Sequence, residues 1–168
     1  MAVAQNLNEI EAKVWDELKF REVKLTALIS TNGDPEKVQA LFPDMAISIS
    51  DNRTPEFPGT ERDICFGIDG MSMCFVESYG DNFTLSSLSV SNSTSDGEQI
   101  HDLTIGEHYF NVGESVSSKF LSVYETSSSS GVQQKSIGFV RNPYHSSMIV
   151  VYLNEQNEVT EITFFESP

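Results

Sequence analysis

Apolar positions change period twice along this chain. Leu7, Ile10, Val14, Trp15 and Leu18 recur at helical spacing, so residues 6–19 are expected to form a helix capped by Asn6 or Asn8. Phe20, Val23, Leu25, Leu28 and Ile29 extend the helical reading over 20–30, and Asn32-Gly33 stops it. A second helix opens at Asp34-Pro35-Glu36, with Asp at the cap and Pro at the first helical position. Val38, Leu41 and Phe42 are its apolar side, and Pro43 ends it. From Ala46 the period becomes two and predicts a strand over 46–50, followed by a Pro- and Gly-bearing loop over 51–61.

Asp69-Gly70 is the sharpest local signal. This dipeptide between alternating runs favours a two-residue hairpin turn. Register follows by counting: Ile68 opposes Met71, Gly67 opposes Ser72, Phe66 opposes Met73, and Cys65 opposes Cys74. Ile64, Phe66, Ile68, Met71, Met73 and Phe75 then share a core face. Cys65, Gly67, Ser72 and Cys74 share the other, a face of small residues able to receive a helix, a further layer or a partner. A strand over 83–90 follows, then a polar connection over 91–99.

Short strands are expected near 100–105 and 108–112, and a helix over 114–124 with Val116, Phe120, Leu121 and Tyr124 on one side. Ser127 to Gly131 reads as a loop. Strands at about 135–140, 147–153 and 158–165 close the chain, the last two joined by a turn at Asn154-Glu155-Gln156-Asn157. Glu36, Val38 and Phe42 find counterparts in Glu114, Val116 and Phe120. Ile64 and Phe66 match Ile137 and Phe139 in the same order. The fold class expected is α+β: predominantly antiparallel sheet with an N-terminal helical segment, in one domain spanning 1–168. Within it an internal repeat of a helix and three strands is expected, over 33–90 and 111–165.

Composition narrows the function. The 168 residues include 39% hydrophobic positions and 11 Phe, ample for a core without a metal or disulfide staple. Lys+Arg number 10 against 25 Asp+Glu, a net charge of −15. Such a surface repels nucleic acid and anionic lipid and attracts a basic partner. The longest apolar run, Met148 to Leu153, is far short of the roughly 20 residues that span a bilayer. The segment from Met1 to Glu9 has neither the basic nor the apolar part of a signal peptide, so a cytoplasmic protein is expected.

Motifs of catalysis are missing. His101, His108 and His145 match no metal spacing, and no nucleophile elbow or phosphate loop occurs. Cys65 and Cys74 read as two small buried thiols in a reducing cytosol, although their cross-strand position would allow a bond under oxidation. No enzyme, cofactor or metal site is therefore expected.

Charge order says more than motifs. No Lys or Arg occurs between Arg62 and Lys119, while Asp63, Asp69, Glu77, Asp81, Asp96, Glu98, Asp102, Glu107 and Glu114 all do. A field of one sign is useful when a partner brings the other. Asp69, Glu77, Asp81, Asp96, Glu98, Asp102 and Glu107 are the candidate partner-binding acids, with Tyr79 and Tyr109 as aromatic anchors. Tyr144 is a further aromatic beside a loop. Edge strands offer a second route, by strand addition.

Val23 to Ile29 leading into Asp34-Pro35-Glu36, the Asp69-Gly70 hairpin, and the closing Val150 to Leu153 and Val159 to Phe165 strands together resemble the immunity proteins of contact-dependent growth inhibition and related polymorphic toxin systems. The resemblance is one of style over most of the chain and includes no diagnostic motif. It implies a monomer that binds one cognate toxin domain 1:1 in the cytosol of the producing cell, the toxin being a basic nuclease whose active site or substrate access is blocked. The layout is also similar at fold level to Whirly single-stranded DNA-binding proteins and to duplicated β-lactamase inhibitors, although the net charge opposes DNA binding. An acidic type III secretion chaperone, usually a dimer, is the alternative.

Overall fold

The computed structural model describes residues 8–43, 47–51, 63–68, 70–77, 83–92, 100–116, 124–127, 133–142 and 147–166. It is an α+β fold with mostly antiparallel sheets. In chain order the elements are β1 (Asn8–Glu11), α1 (Ala12–Trp15), β2 (Lys19–Phe20), β3 (Val23–Lys24), α2 (Leu25–Ser30), α3 (Pro35–Leu41), β4 (Ser48–Asp51), β5 (Asp63–Ile68), β6 (Met71–Glu77) and β7 (Phe83–Val90). They continue with β8 (Leu103–Ile105), β9 (His108–Phe110), β10 (Tyr124–Ser127), β11 (Gln133–Asn142), β12 (Ser147–Leu153) and β13 (Val159–Glu166).

The nine-stranded sheet runs β1-β11-β12-β13-β7-β6-β5-β4, with β10 also on β11. Its centre is the antiparallel pair β7·β13, in which Leu88 faces Phe164. β6 and β12 begin at Met71 and Ser147, and β7 and β13 begin at Phe83 and Val159. Leu88 and Phe164 keep that same spacing and face each other, so an approximate two-fold axis passes through their pair. The smaller sheet, β3-β2-β8-β9, joins two hairpins at β2·β8 in the same manner. Two copies of one unit sharing a sheet would meet in this way.

The N-terminal helix expected over 6–19 is overturned. Among its described residues only Ala12–Trp15 is helical, and Asn8–Glu11 is a strand parallel to Phe139–Asn142 of β11. β10 covers the other half of that β11 edge, pairing with residues 133–136. An edge left bare would expose unsatisfied backbone groups, and β1 completes it, overriding the helical spacing. Residues 20–30 divide likewise into the β2–β3 hairpin and α2. Its turn is Arg21-Glu22, both at positive φ (47° and 71°), the signature of a type I′ turn made without glycine. Glu114–Val116 are not helical either: Ser115 bridges to Glu158, and the rest of the expected 114–124 helix up to Leu121–Val123 lies outside the described residues.

Other expectations hold. The Asp34 carboxylate accepts from the Glu36 N–H at 2.9 Å, with Pro35 at the first helical position of α3. Every hairpin pair counted from Asp69-Gly70 is observed, from Ile68↔Met71 to Cys65↔Cys74. Gly70 takes φ +78°, as that turn requires.

One face of the large sheet carries Ile64, Phe66, Ile68, Met71, Met73, Phe75, Leu85, Leu88, Ile149, Val151, Ile162 and Phe164, all buried. Trp15, Leu18, Phe20, Leu25, Leu28, Val38, Phe42, Leu103, Ile105 and Phe110 belong to the same core, supplied by the short helices and the small sheet. Gly33, at φ +75°, brings the α2–α3 turn down onto this face: a Cβ there would lie 3.1 Å from Ile64 Cγ2 and from Phe75 Cβ.

Candidate interaction surfaces

The opposite face of the large sheet is set by alternation. Across the strands, Ser50 opposes Cys65, Cys65 opposes Cys74, Cys74 opposes Ser87, and Ser87 opposes Phe165. Phe165 opposes Met148, and Met148 opposes Val140. A second row runs Ser48, Gly67, Ser72, Ser89, Thr163, Val150 and Gly138. The β4–β7 half is thus small and polar. The β11–β13 half is apolar, with Met148, Val150, Tyr152 and Phe165 half-buried on the side away from the core. No helix or second sheet among the described residues is packed there in the way α2 contacts β7 on the inner side.

Glu161 stands on this outer face opposite Tyr152. Its Oε1 accepts from the Ser89 hydroxyl at 2.5 Å and from the Thr163 hydroxyl at 3.3 Å. Two hydroxyls thus orient a half-buried carboxylate, and none of its partners among the described residues is a cation.

Cys65 and Cys74 are joined as a disulfide, which corrects the expectation of free thiols. The register itself was foreseen. Counting back from the closing pair Ile68↔Met71 makes Cys65↔Cys74 a non-hydrogen-bonded pair, the closer of the two cross-strand types. Their Cα atoms are 4.1 Å apart.

Of the sequence-derived partner residues, Glu77, Asp102, Glu107 and Tyr109 are among the described ones. Asp69, Tyr79, Asp81, Asp96 and Glu98 lie outside the described residues, as does Tyr144. Glu77 ends β6, half-buried opposite Phe83. Glu107 is exposed in the β8–β9 turn, and Tyr109 on β9 is 57% exposed. Tyr109 stacks on His101, ring centroids 4.0 Å apart and planes 20° from parallel. Asn111 Nδ2 lies 3.0 Å from His101 Nδ1 and donates to Glu114 Oε2 at 3.0 Å. The β8–β9 hairpin therefore does unite Glu107 and Tyr109.

Asp102 is not a surface acid, and its assignment to a partner is withdrawn. Its side chain is fully buried, with Arg21 Nε 3.3 Å from Oδ1 and the Val112 N–H donating to Oδ2 at 3.0 Å. Arg21, which sequence reasoning missed, also donates to the backbone carbonyls of Ile68 (3.2 Å) and Asn92 (2.6 Å). One guanidinium thus ties the small sheet to the turn end of β5 and the exit of β7. Nothing near Arg21 in the sequence signals this, because Asp102, Ile68 and Asn92 are all far away along the chain. Glu161 was missed for a different reason. The strand was expected, but the hydroxyl from β7 that orients its carboxylate comes from 72 residues away.

Lysines gather elsewhere. Lys13 and Lys19 line an open groove of about 490 Å³ with Val14, Glu17, Thr104 and Gly106. Lys24 Nζ is 2.9 Å from Glu17 Oε2. Its hydrogen bond and its charge hold the Glu17 carboxyl below the ordinary Glu value. Among the described residues no group of three His, Cys, Asp or Glu is placed to hold a metal, and no helix is long and apolar enough to cross a membrane. Compared with known proteins, the chain matches no family model, no curated sequence and no solved structure.

Proposed function

We propose that this protein is a stoichiometric inhibitor of a basic protein, acting as the immunity protein of a nuclease toxin. It works by occupancy: it docks on the toxin domain 1:1 and blocks the active site or the path of the substrate. The observation that carries this reading is the base-free stretch between Arg62 and Lys119 within a chain of net charge −15. Arg21 neutralises Asp102 from outside that stretch, and the exposed Glu107 beside Tyr109 remains available to a partner. Electrostatic attraction raises the rate of encounter with a basic domain, and aromatic side chains anchor the docked complex.

Co-expression with the product of the gene immediately upstream tests the proposal. The expected result is a 1:1 complex on purification and protection of cells from that product. No complex and no protection would remove the reading. Light scattering on the free protein separates it from a secretion chaperone, which is a stable dimer.

An immunity role places the protein in the cytosol of the producing cell. The Cys65–Cys74 disulfide favours a second reading, an inhibitor that meets its basic partner in an oxidising compartment. Trapping of free thiols in intact cells decides between the two: alkylated cysteines mean the cytosol, and protected ones mean the oxidising compartment.

A further inference from the structure

We infer that the outer face of β12, β13 and β7 is the surface on which the basic partner docks, with Glu161 as the acceptor for one of its lysines or arginines. This rests on the proposed function and adds where the partner sits. Three observations meet on this face. First, Met148, Val150, Tyr152 and Phe165 are neighbours across β12 and β13, on the side of the sheet away from the core. Each is half-buried, and Met and aromatic side chains grouped on one face are the composition of an interface centre. Second, beside this patch the adjoining strands present the small side chains Ser72, Ser87, Ser89, Cys74 and Gly67, so a partner's backbone can approach closely.

Third, the charge is complementary. The outward register positions of β4–β7 and β11–β13 hold Asp63 and Glu161 but no Lys, Arg or His. Glu161 is the better placed of the two, at the border between the apolar and the small half. Ser89 and Thr163 both donate to its Oε1. This leaves Oε2 to take a partner's cation. A carboxylate already oriented by two hydroxyls loses little freedom on pairing, and its hydrogen bond to a cation is of the strong, charge-assisted kind.

The test uses the full chain and the upstream gene product, with affinity measured for wild type, Glu161→Lys, Val150→Arg and, as a control at an exposed acid of α3, Glu36→Lys. Glu161→Lys and Val150→Arg are each expected to weaken binding at least about tenfold, and Glu36→Lys less than about threefold. Circular dichroism and thermal melts establish that the variants fold. As a measurement that needs no variant, methyl resonances of Met148 and Val150 are expected to shift when the wild type binds. Binding that ignores both face substitutions, with unmoved methyls, overturns this inference and leaves the proposed function standing. Absence of any complex with wild type overturns both.

Discussion

Arg21 and Asp102 face each other 3.3 Å apart with neither side chain exposed to solvent, and they are separated by 81 residues in the chain. The pair accounts for a local oddity. Arg21 and Glu22 both take positive φ without being glycine, a conformation that persists only when its surroundings hold it. The Arg21 N–H donates to the Asp102 carbonyl at 3.2 Å while its guanidinium binds Asp102, Ile68 and Asn92. Backbone and side chain are thus fixed to the same distant segment.

Removing one member of this pair leaves the other buried. Asp102→Ala takes the carboxylate away from a buried guanidinium and is expected to cost about 3–5 kcal/mol in urea unfolding. The double variant Arg21→Met, Asp102→Ala is expected to lose less than the two single losses added together. Additive losses would show that the two residues act independently.

Reducing the Cys65–Cys74 bond releases a loop with a sequence separation of 9. Loop-closure entropy puts its contribution at about 2–3 kcal/mol. For a domain of this size the melting temperature is expected to fall by about 5–10 °C in reductant, and by the same amount in Cys65→Ser, Cys74→Ser. Identical melts with and without reductant would mean that the bond does not form in solution.

Gly33→Ala tests the close approach of the α2–α3 turn to the sheet. The new Cβ meets Ile64 and Phe75 at 3.1 Å, and the φ of +75° disfavours any side chain. A loss of about 1–3 kcal/mol is expected by denaturant titration. A neutral result would place the turn farther from the sheet.

Association with the basic partner is expected to slow as salt rises, because long-range attraction between exposed charges is screened. Stopped-flow rates are expected to fall by about tenfold between about 0.05 and 0.5 M salt, while dissociation changes little. Joint neutralisation of Asp69, Glu77, Asp81, Asp96 and Glu98 is expected to flatten that slope. An association rate indifferent to salt would exclude steering.

Glu17 titrates below its unfolded-state value because Lys24 donates to it. Its contribution to stability is therefore present above the unfolded-state pKa and is lost as pH falls through the lower, folded value. Both groups are exposed, so the effect is small. Carboxyl NMR is expected to show the Glu17 titration moving up toward the ordinary range in Lys24→Ala. An unmoved titration would exclude the pair in solution.

Much of the fold was legible where neighbours along the chain decide the outcome. Asp69-Gly70 dictates a two-residue loop, and with it the register of β5 on β6 and the division into a core face and a face of small residues. Asp34-Pro35 starts α3, and alternation delimits β7, β12 and β13. Turn sterics, capping and side-chain alternation are short-range effects, so a single sequence displays them.

Other outcomes belong to the assembled chain. Asn8–Glu11 carries helical spacing yet becomes a strand, because half of the β11 edge offers backbone hydrogen bonds that a helix there would leave unmet. Asp102 stands in an acidic run yet is buried against an arginine 81 residues away, and Glu161 is oriented by a serine 72 residues away. The small-residue face was readable as a face, but not its continuation across Phe165, Met148 and Val140, which required β7 to pair with β13. Pairing at such separations is selected by burial of the whole core and by closure of every buried hydrogen bond together. Composition and local pattern therefore determined that this chain is an acidic α+β protein with an Asp-Gly hairpin, and tertiary packing alone decided which of its charges face inward and which sheet face carries the core.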